Sequence, residues 1–236
     1  MNFENKVVII TGGTGALGYA VTTAFLQAGA KVLVTFTRET EFDALKSRVG
    51  GHAAALRGVK TNVLDEASVQ AMAQEAAEPG RIDVLVNLVG GFLGGVPVVE
   101  MTLEQWDKII NLNLKSAFLC CKHVMPVMQQ QRSGRIINIG SQGGLHGGDG
   151  ISAYGAAKAG LINFTKSLAA EGKGFGISAN AVVPGNLDTP ANRQAMPNAD
   201  FTKWVSPQAL AQVILFLASE EANAITGAVI PVSGRY

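Results

Sequence analysis

Apolar residues recur along this chain in two patterns, and the switch between them marks its elements. Lys6–Ile10 (KVVII) is a continuous, largely β-branched run ending at Thr11 and glycines, the pattern of a strand buried on both faces. Residues 16–28 then have helical character. A second strand is predicted over Lys31–Phe36 and a helix over 39–48. A weaker third strand is expected near Ala53–Leu56, with a helix over 66–77. Val84–Asn87 reads as the fourth strand, followed by one long helical stretch over 102–130. Arg135–Ile139 is the fifth strand, 151–171 a helix, and Ile177–Val183 the sixth strand. A helix over 207–219 and a short strand at Ala228–Val232 complete the series. Strand and helix alternate without a repeat or a low-complexity linker. That alternation predicts a parallel sheet covered on both faces, with right-handed crossovers between strands. The fold class expected is α/β: a single doubly wound Rossmann-type sheet in one domain over residues 1–236, its ligand crevice beyond the carboxyl ends of the strands.

Composition narrows the function classes. The chain is 47% hydrophobic and 16% charged, which suits a packed core rather than disorder. Its formal net charge is +1 with no basic block, so nucleic acid is not an expected partner. The longest uncharged run, Val84 to Val99, is too short for a membrane span and is broken by glycines and a proline. The opening MNFENKVVIITGG has only a brief apolar run, so no secretory leader and a cytoplasmic location are expected. Cys120 and Cys121 are adjacent, a spacing unsuited to a mutual disulfide, and are expected as buried, reduced thiols on a helix. His52 and His123 have no partners in sequence, and no metal site is expected.

The first strand runs directly into TGGTGALG, Thr11 to Gly18, and then into a helix. Glycines at 12, 15 and 18 let backbone N–H groups face a pyrophosphate, and the helix N-terminus adds partial positive charge. The spacing is GxxGxxG rather than GxGxxG, but strand, glycines and helix stand in the order that dinucleotide binding requires. Chemistry resides in INIGSQGGLHGGDGISAYGAAKAG. Tyr154 and Lys158 are four residues apart and share a helical face, with Ser141 just after the fifth strand. A free phenol is a poor acid at neutral pH, with a pKa near ~10, and a neighbouring ammonium is expected to lower it. Ser141 is placed to hold a substrate oxygen. Gln142 and His146 lie between Ser141 and Tyr154, where they either line a substrate pocket or belong to a flexible glycine-rich loop.

Over its full length the chain resembles the short-chain dehydrogenase/reductase family. The resemblance rests on the TGxxx[AG]xG loop (Thr11, Gly12, Thr14, Gly15, Ala16, Leu17, Gly18), on Ser141, Tyr154 and Lys158, and on Pro184–Gly185 after the sixth strand. It implies Tyr154 as acid/base, Lys158 tuning it and bonding a ribose hydroxyl, and Asn113, before Leu114–Lys115, completing the catalytic set. Asn111 lies on another helical face and is set aside. Where the family has NNAG, this chain has NLVG, keeping Asn87 and Gly90; Asn62, followed by Val63, stands where an aspartate often meets adenine. Leu187 and Thr189 belong to the family's cofactor contacts after Pro-Gly, with Asn186 and Thr189 implied near the nicotinamide amide and pyrophosphate. Phe36 replaces the acidic residue with which NAD enzymes end the second strand, and Thr37 and Arg38 follow it. This favours NADP(H) over NAD(H), although Glu39 could also reach a ribose.

The resemblance implies an oxidoreductase transferring hydride to the carbonyl of a small molecule, of the ketone reductase or 3-oxoacyl-carrier-protein reductase type. Residues 186–207 are locally similar to dihydropteridine reductases (DTP-x-N-R…MP-x-ADF-x-x-W), which makes a dihydropteridine reductase-like enzyme the alternative. Trp204 within this stretch either caps the pocket or packs. A catalytically idle dinucleotide sensor is a further alternative, disfavoured by the complete set of Asn113, Ser141, Tyr154 and Lys158. Ala117, Phe118, Leu119, Leu161 and Phe164 exceed what one sheet face needs, so a homotetramer or homodimer built on these helices is expected.

Overall fold

Every residue of Val7–Thr11 (β1) is buried, and its side chains divide between two layers. Val8 and Ile10 face one apolar cluster and Ile9 the other, as the two-residue period of a strand requires. The computed structural model describes residues 1–234; positions 235 and 236 of the expected domain lie outside the described residues. Further strands are Lys31–Phe36 (β2), Leu56–Lys60 (β3), Val84–Asn87 (β4), Gly134–Ile139 (β5), Ile177–Pro184 (β6) and Val229–Val232 (β7). Among the described residues they form one seven-stranded sheet in the order β3-β2-β1-β4-β5-β6-β7. All pairings are parallel, with Ile9 opposite Leu33 on one side and Leu85 on the other.

Helices cover both faces. Ala16–Gln27 (α1), Glu39–Arg48 (α2) and, near the C-terminus, Pro207–Ala218 bury apolar residues on one face. Glu66–Ala76 (α3) and the long helices of the middle of the chain cover the other. Successive strands run outward from β1 to β3, then return to β4 on the opposite side of β1. The order therefore reverses between β1 and β4, and a crevice opens at their carboxyl ends. No helix among the described residues is long and apolar enough to cross a membrane.

Two expected elements differ. The third strand lies at Leu56–Lys60, not Ala53–Leu56; Gly50–Ala55 is a 3-10 helix. Alanines suit a helical turn better than a strand, while Arg57 and Lys60 are the charges expected on an edge strand. Gly58 gives β3 room for the Phe42 ring, which a Cβ at that position would meet at 2.4 Å. The stretch expected as one helix over 102–130 is Leu103–Ile110 (α4), a π-helical turn at Asn111–Lys115, and Ser116–Gln131 (α5). Thr102 and Gln105 close the start of α4 with a reciprocal capping box. Cys120 and Cys121 are buried on α5, and burial pushes the Cys120 thiol up to about 12 and Cys121 in the same direction.

Candidate active site

The loop after β1 is shaped by backbone contacts that a side chain would prevent. Gly12 has φ +67°, and its N–H donates to Thr35 Oγ at 3.1 Å. A Cβ on Gly18 would lie 2.3 Å from the Gly12 carbonyl oxygen, so only glycine lets α1 start this close to the turn. Thr11 Oγ accepts from the Leu88 N–H at 3.1 Å and ties the end of β1 to the loop after β4. Gly15 caps α1 without a side-chain bond, and Ala16 and Leu17 form its first turn. Beside the loop is a cavity of about 390 Å³ lined in part by Gly12, Thr14, Gly15, Phe36, Thr37, Asn62, Val63 and Gly90. Seven of these, all but Phe36, are cofactor contacts expected from sequence. Gly18 buttresses the loop from behind, and the Asn62 amide oxygen is engaged by the Leu64 N–H at 3.1 Å.

Asn87, Thr189 and Arg38 are engaged by other protein groups. Asn87 is buried, its amide donating to Asn138 Oδ1 at 2.9 Å, so it braces β4 against β5 beneath the crevice. Thr189 spends its hydroxyl capping Pro190–Ala195, accepting from the Asn192 N–H at 3.2 Å. Arg38 is ion-paired with Glu41 and does not line the cavity.

A second cavity, of about 400 Å³, holds the acid/base candidates. Ser141, Gln142, Tyr154, Lys158, Pro184, Gly185, Asn186 and Leu187 all line it. Ser141 caps a short helix, Gln142–His146 (α6), by accepting from the Gly143 N–H at 3.2 Å. The glycine-rich loop is thus partly helical. His146 is exposed on α6 and absent from the cavity wall, whereas Gln142 belongs to it. Tyr154 and Lys158 lie on Ser152–Gly172 (α7). Lys158 is 6% exposed, and its Nζ donates to the Ile139 carbonyl at 2.7 Å. Burial lowers the lysine to about 8. The Lys158 ammonium was expected to lower the phenol, but the structure reverses the sign: burial raises Tyr154, and only the nearby Ser141 hydroxyl works against it. Lys158 Nζ is 5.9 Å from the centroid of the tyrosine ring.

The π turn directs Asn113 inward. Its amide donates to the Gly91 carbonyl at 2.8 Å and the Ile109 carbonyl at 3.0 Å, and its Oδ1 accepts from the Gly91 N–H at 3.2 Å. Gly90 joins the two cavities: a Cβ there would meet Asn113 Oδ1 at 2.7 Å and Lys158 Nζ at 3.5 Å. Glycines at 12, 18 and 90 thus leave a cradle suited to an extended dinucleotide running from the β2 end to Lys158.

Sequence reasoning passed over Phe92, Ile151 and Met196, which supply much of the apolar wall of the second cavity. Phe92 packs edge-on against Tyr154, centroids 5.0 Å apart, and is 70% exposed. Its position just beyond Gly90–Gly91 was the available signal. Trp204 packs against Phe201, centroids 4.8 Å apart, and is not part of the cavity wall.

The short chain dehydrogenase family model matches residues 6–200. The 3-oxoacyl-[acyl-carrier-protein] reductase FabG of Thermotoga maritima is 37% identical over 243 aligned residues, covering 99% of this chain and 98% of that protein. The Escherichia coli enzyme of the same name has the same identity and coverage. A crystal structure of a short-chain dehydrogenase/reductase from Burkholderia xenovorans superposes with a TM-score of 0.91 at 34% identity, covering 98% of this chain and 96% of that one. Sequence, fold and relatives agree across the chain, which belongs to the short chain dehydrogenase family and is an NAD(P)-dependent oxidoreductase.

Proposed function

We propose that the protein is a single-domain, NADPH-dependent carbonyl reductase in which Tyr154 is the general acid. The carrying observation is that Ser141, Tyr154 and Lys158 converge on one cavity, with Asn113 joined to it through Gly90–Gly91. When bound, the nicotinamide supplies a hydride to the carbonyl carbon. Ser141 orients the carbonyl oxygen, and Tyr154 gives that oxygen its proton as the C=O π pair leaves carbon. Burial keeps the phenol protonated at neutral pH, the form a proton donor needs. Lys158, while charged, stabilises the phenolate that forms as the proton departs.

Gly12, Thr14, Gly15, Ala16 and Leu17 would hold the pyrophosphate end, and Thr37, Arg38, Asn62 and Val63 the adenosine end. Gly90, Tyr154, Lys158, Pro184, Gly185 and Leu187 would flank the nicotinamide half. Phe36 supports NADP(H), since its ring brings no carboxylate to repel a 2′-phosphate.

The wall of Phe92, Ile151, Leu187 and Met196 suits a substrate with an apolar body. Together with the FabG relatives, it supports a 3-oxoacyl thioester or a similar compact ketone. The assembly proposed is a homotetramer. The test is NADPH oxidation with acetoacetyl thioesters, small diketones and quinonoid dihydropterin. Turnover of a ketone is expected; turnover of the dihydropterin alone would move the assignment to a pterin reductase.

A further inference from the structure

Arg38 and Glu41 form an ion pair next to Thr37 and Thr14, which line the adenosine cavity. Arg38 caps α2, and Glu41 lies in the first turn of that helix. The Arg38 guanidinium donates to Glu41 Oε1, from Nε at 3.0 Å and from Nη2. The other carboxylate oxygen, Oε2, accepts from Thr14 Oγ at 3.4 Å, in the phosphate loop. Glu41 therefore spans from the end of β2 to the glycine loop. Its helix is held there by Phe42, whose ring stacks on Phe36 with centroids 5.0 Å apart. The side chains are 75% exposed for Arg38 and 33% for Glu41, so the pair is open to solvent, and Thr14 links it to the cavity wall.

In folds of this class the adenosine ribose lies at the end of the second strand, where an arginine can receive a 2′-phosphate. Glu41 already occupies that arginine with an anionic group. We propose that Glu41 is the specificity-determining residue for the cofactor: a resident carboxylate that competes with the 2′-phosphate for Arg38. NADPH must displace Glu41 from Arg38 and bring its phosphate up beside a like charge. NADH needs no such displacement, because its ribose hydroxyl can donate to the carboxylate while the ion pair stays intact. The pair thus compresses the NADPH preference that Phe36 and Arg38 would otherwise set. This rests on the reading that Arg38 meets the 2′-phosphate.

The experiment is calorimetric titration of NADPH, NADH, adenosine 2′,5′-bisphosphate and 5′-AMP into the parent protein, Glu41→Gln, Glu41→Ala and Arg38→Ala. Both substitutions at Glu41 should tighten NADPH and the bisphosphate by roughly 3–10-fold, the scale of one partly exposed ion pair, and leave NADH and 5′-AMP unchanged or weaker. Arg38→Ala should weaken the bisphosphate and leave 5′-AMP in place. If Arg38→Ala has that effect while neither Glu41 variant changes the NADPH-to-NADH ratio, the competition is overturned and the arginine assignment survives. If Arg38→Ala leaves the bisphosphate unaffected, the arginine assignment fails and the competition with it.

Discussion

Burial acts on Tyr154 and Lys158 in opposite senses on the proton. The phenol is raised and keeps its proton; the ammonium is lowered to about 8 and gives its proton up more readily. Tyr154→Phe keeps the ring against Phe92 but removes the transferable proton. Reduction should fall by roughly 10²–10⁴-fold while NADPH titrates as in the parent, because proton transfer by a placed side chain contributes about that much. Parent-like turnover would show that the acid lies elsewhere. The lysine makes a separate demand on pH. Its charge is full below about 8 and lost above it, well before the phenol ionises. Reductive kcat/KM should therefore decline through a midpoint near pH 8, measured over a range wide enough to show both plateaus. Lys158→Arg should shift that midpoint upward by holding the charge, and an unchanged midpoint would assign the titration to another group.

Asn113 owes its position to the π turn at Asn111–Lys115, which interrupts the regular advance from α4 to α5. Such interruptions are frequent at functional sites. Asn113→Ala should leave the Gly91 N–H and carbonyl without the partners they have now, costing about 1–3 kcal/mol of stability. A denaturant midpoint equal to the parent's would remove Asn113 as the clamp on the Gly90–Gly91 loop. The contrast between Asn113 and its turn shows what a sequence discloses at this scale. The asparagine before Leu114–Lys115 was legible because its spacing matched a family pattern, whereas the extra residue of a π turn barely disturbs apolar periodicity. Ser141, two residues beyond a β-branched strand, was legible for a similar reason. The edge strand Leu56–Lys60 was hidden by its charges and glycine, and the alanines before it drew the expected strand out of register. Phe92 stands with Leu93 in a short pair between glycines, too brief to carry a period, so only its place beyond Gly90–Gly91 could have marked it. The pairing of Arg38 with Glu41 was not legible, because it is set by the start of α2 and not by any motif.

At the scale of the molecule, the alternation and the doubly wound sheet followed from the strand runs, but the strand order and the outer faces of the helices did not. Ala117, Leu119 and Leu161, expected as surplus apolar residues, are buried within the protomer. Of the expected apolar set, only Phe118 on α5, 44% exposed, and the half-buried Phe164 on α7 reach the surface, with ring centroids 6.2 Å apart. An aromatic pair bridging two adjacent helices is a suitable anchor for a twofold contact, since aromatic residues carry much of the energy at interface centres. A stable interface also needs about 1,200–2,000 Å² of buried surface, so the pair would be the centre of a contact using the length of both helices. Light scattering at micromolar concentration should give four times the chain mass of 24.6 kDa. Phe118→Asp combined with Phe164→Asp should lower that mass, because each carboxylate would lose its hydration at the contact without gaining a partner. The double variant should keep the far-ultraviolet circular dichroism of the parent, since neither ring is fully buried in the protomer. A parent protein of monomer mass would overturn the assembly, and a tetramer unchanged by both aspartates would move the interface to another face.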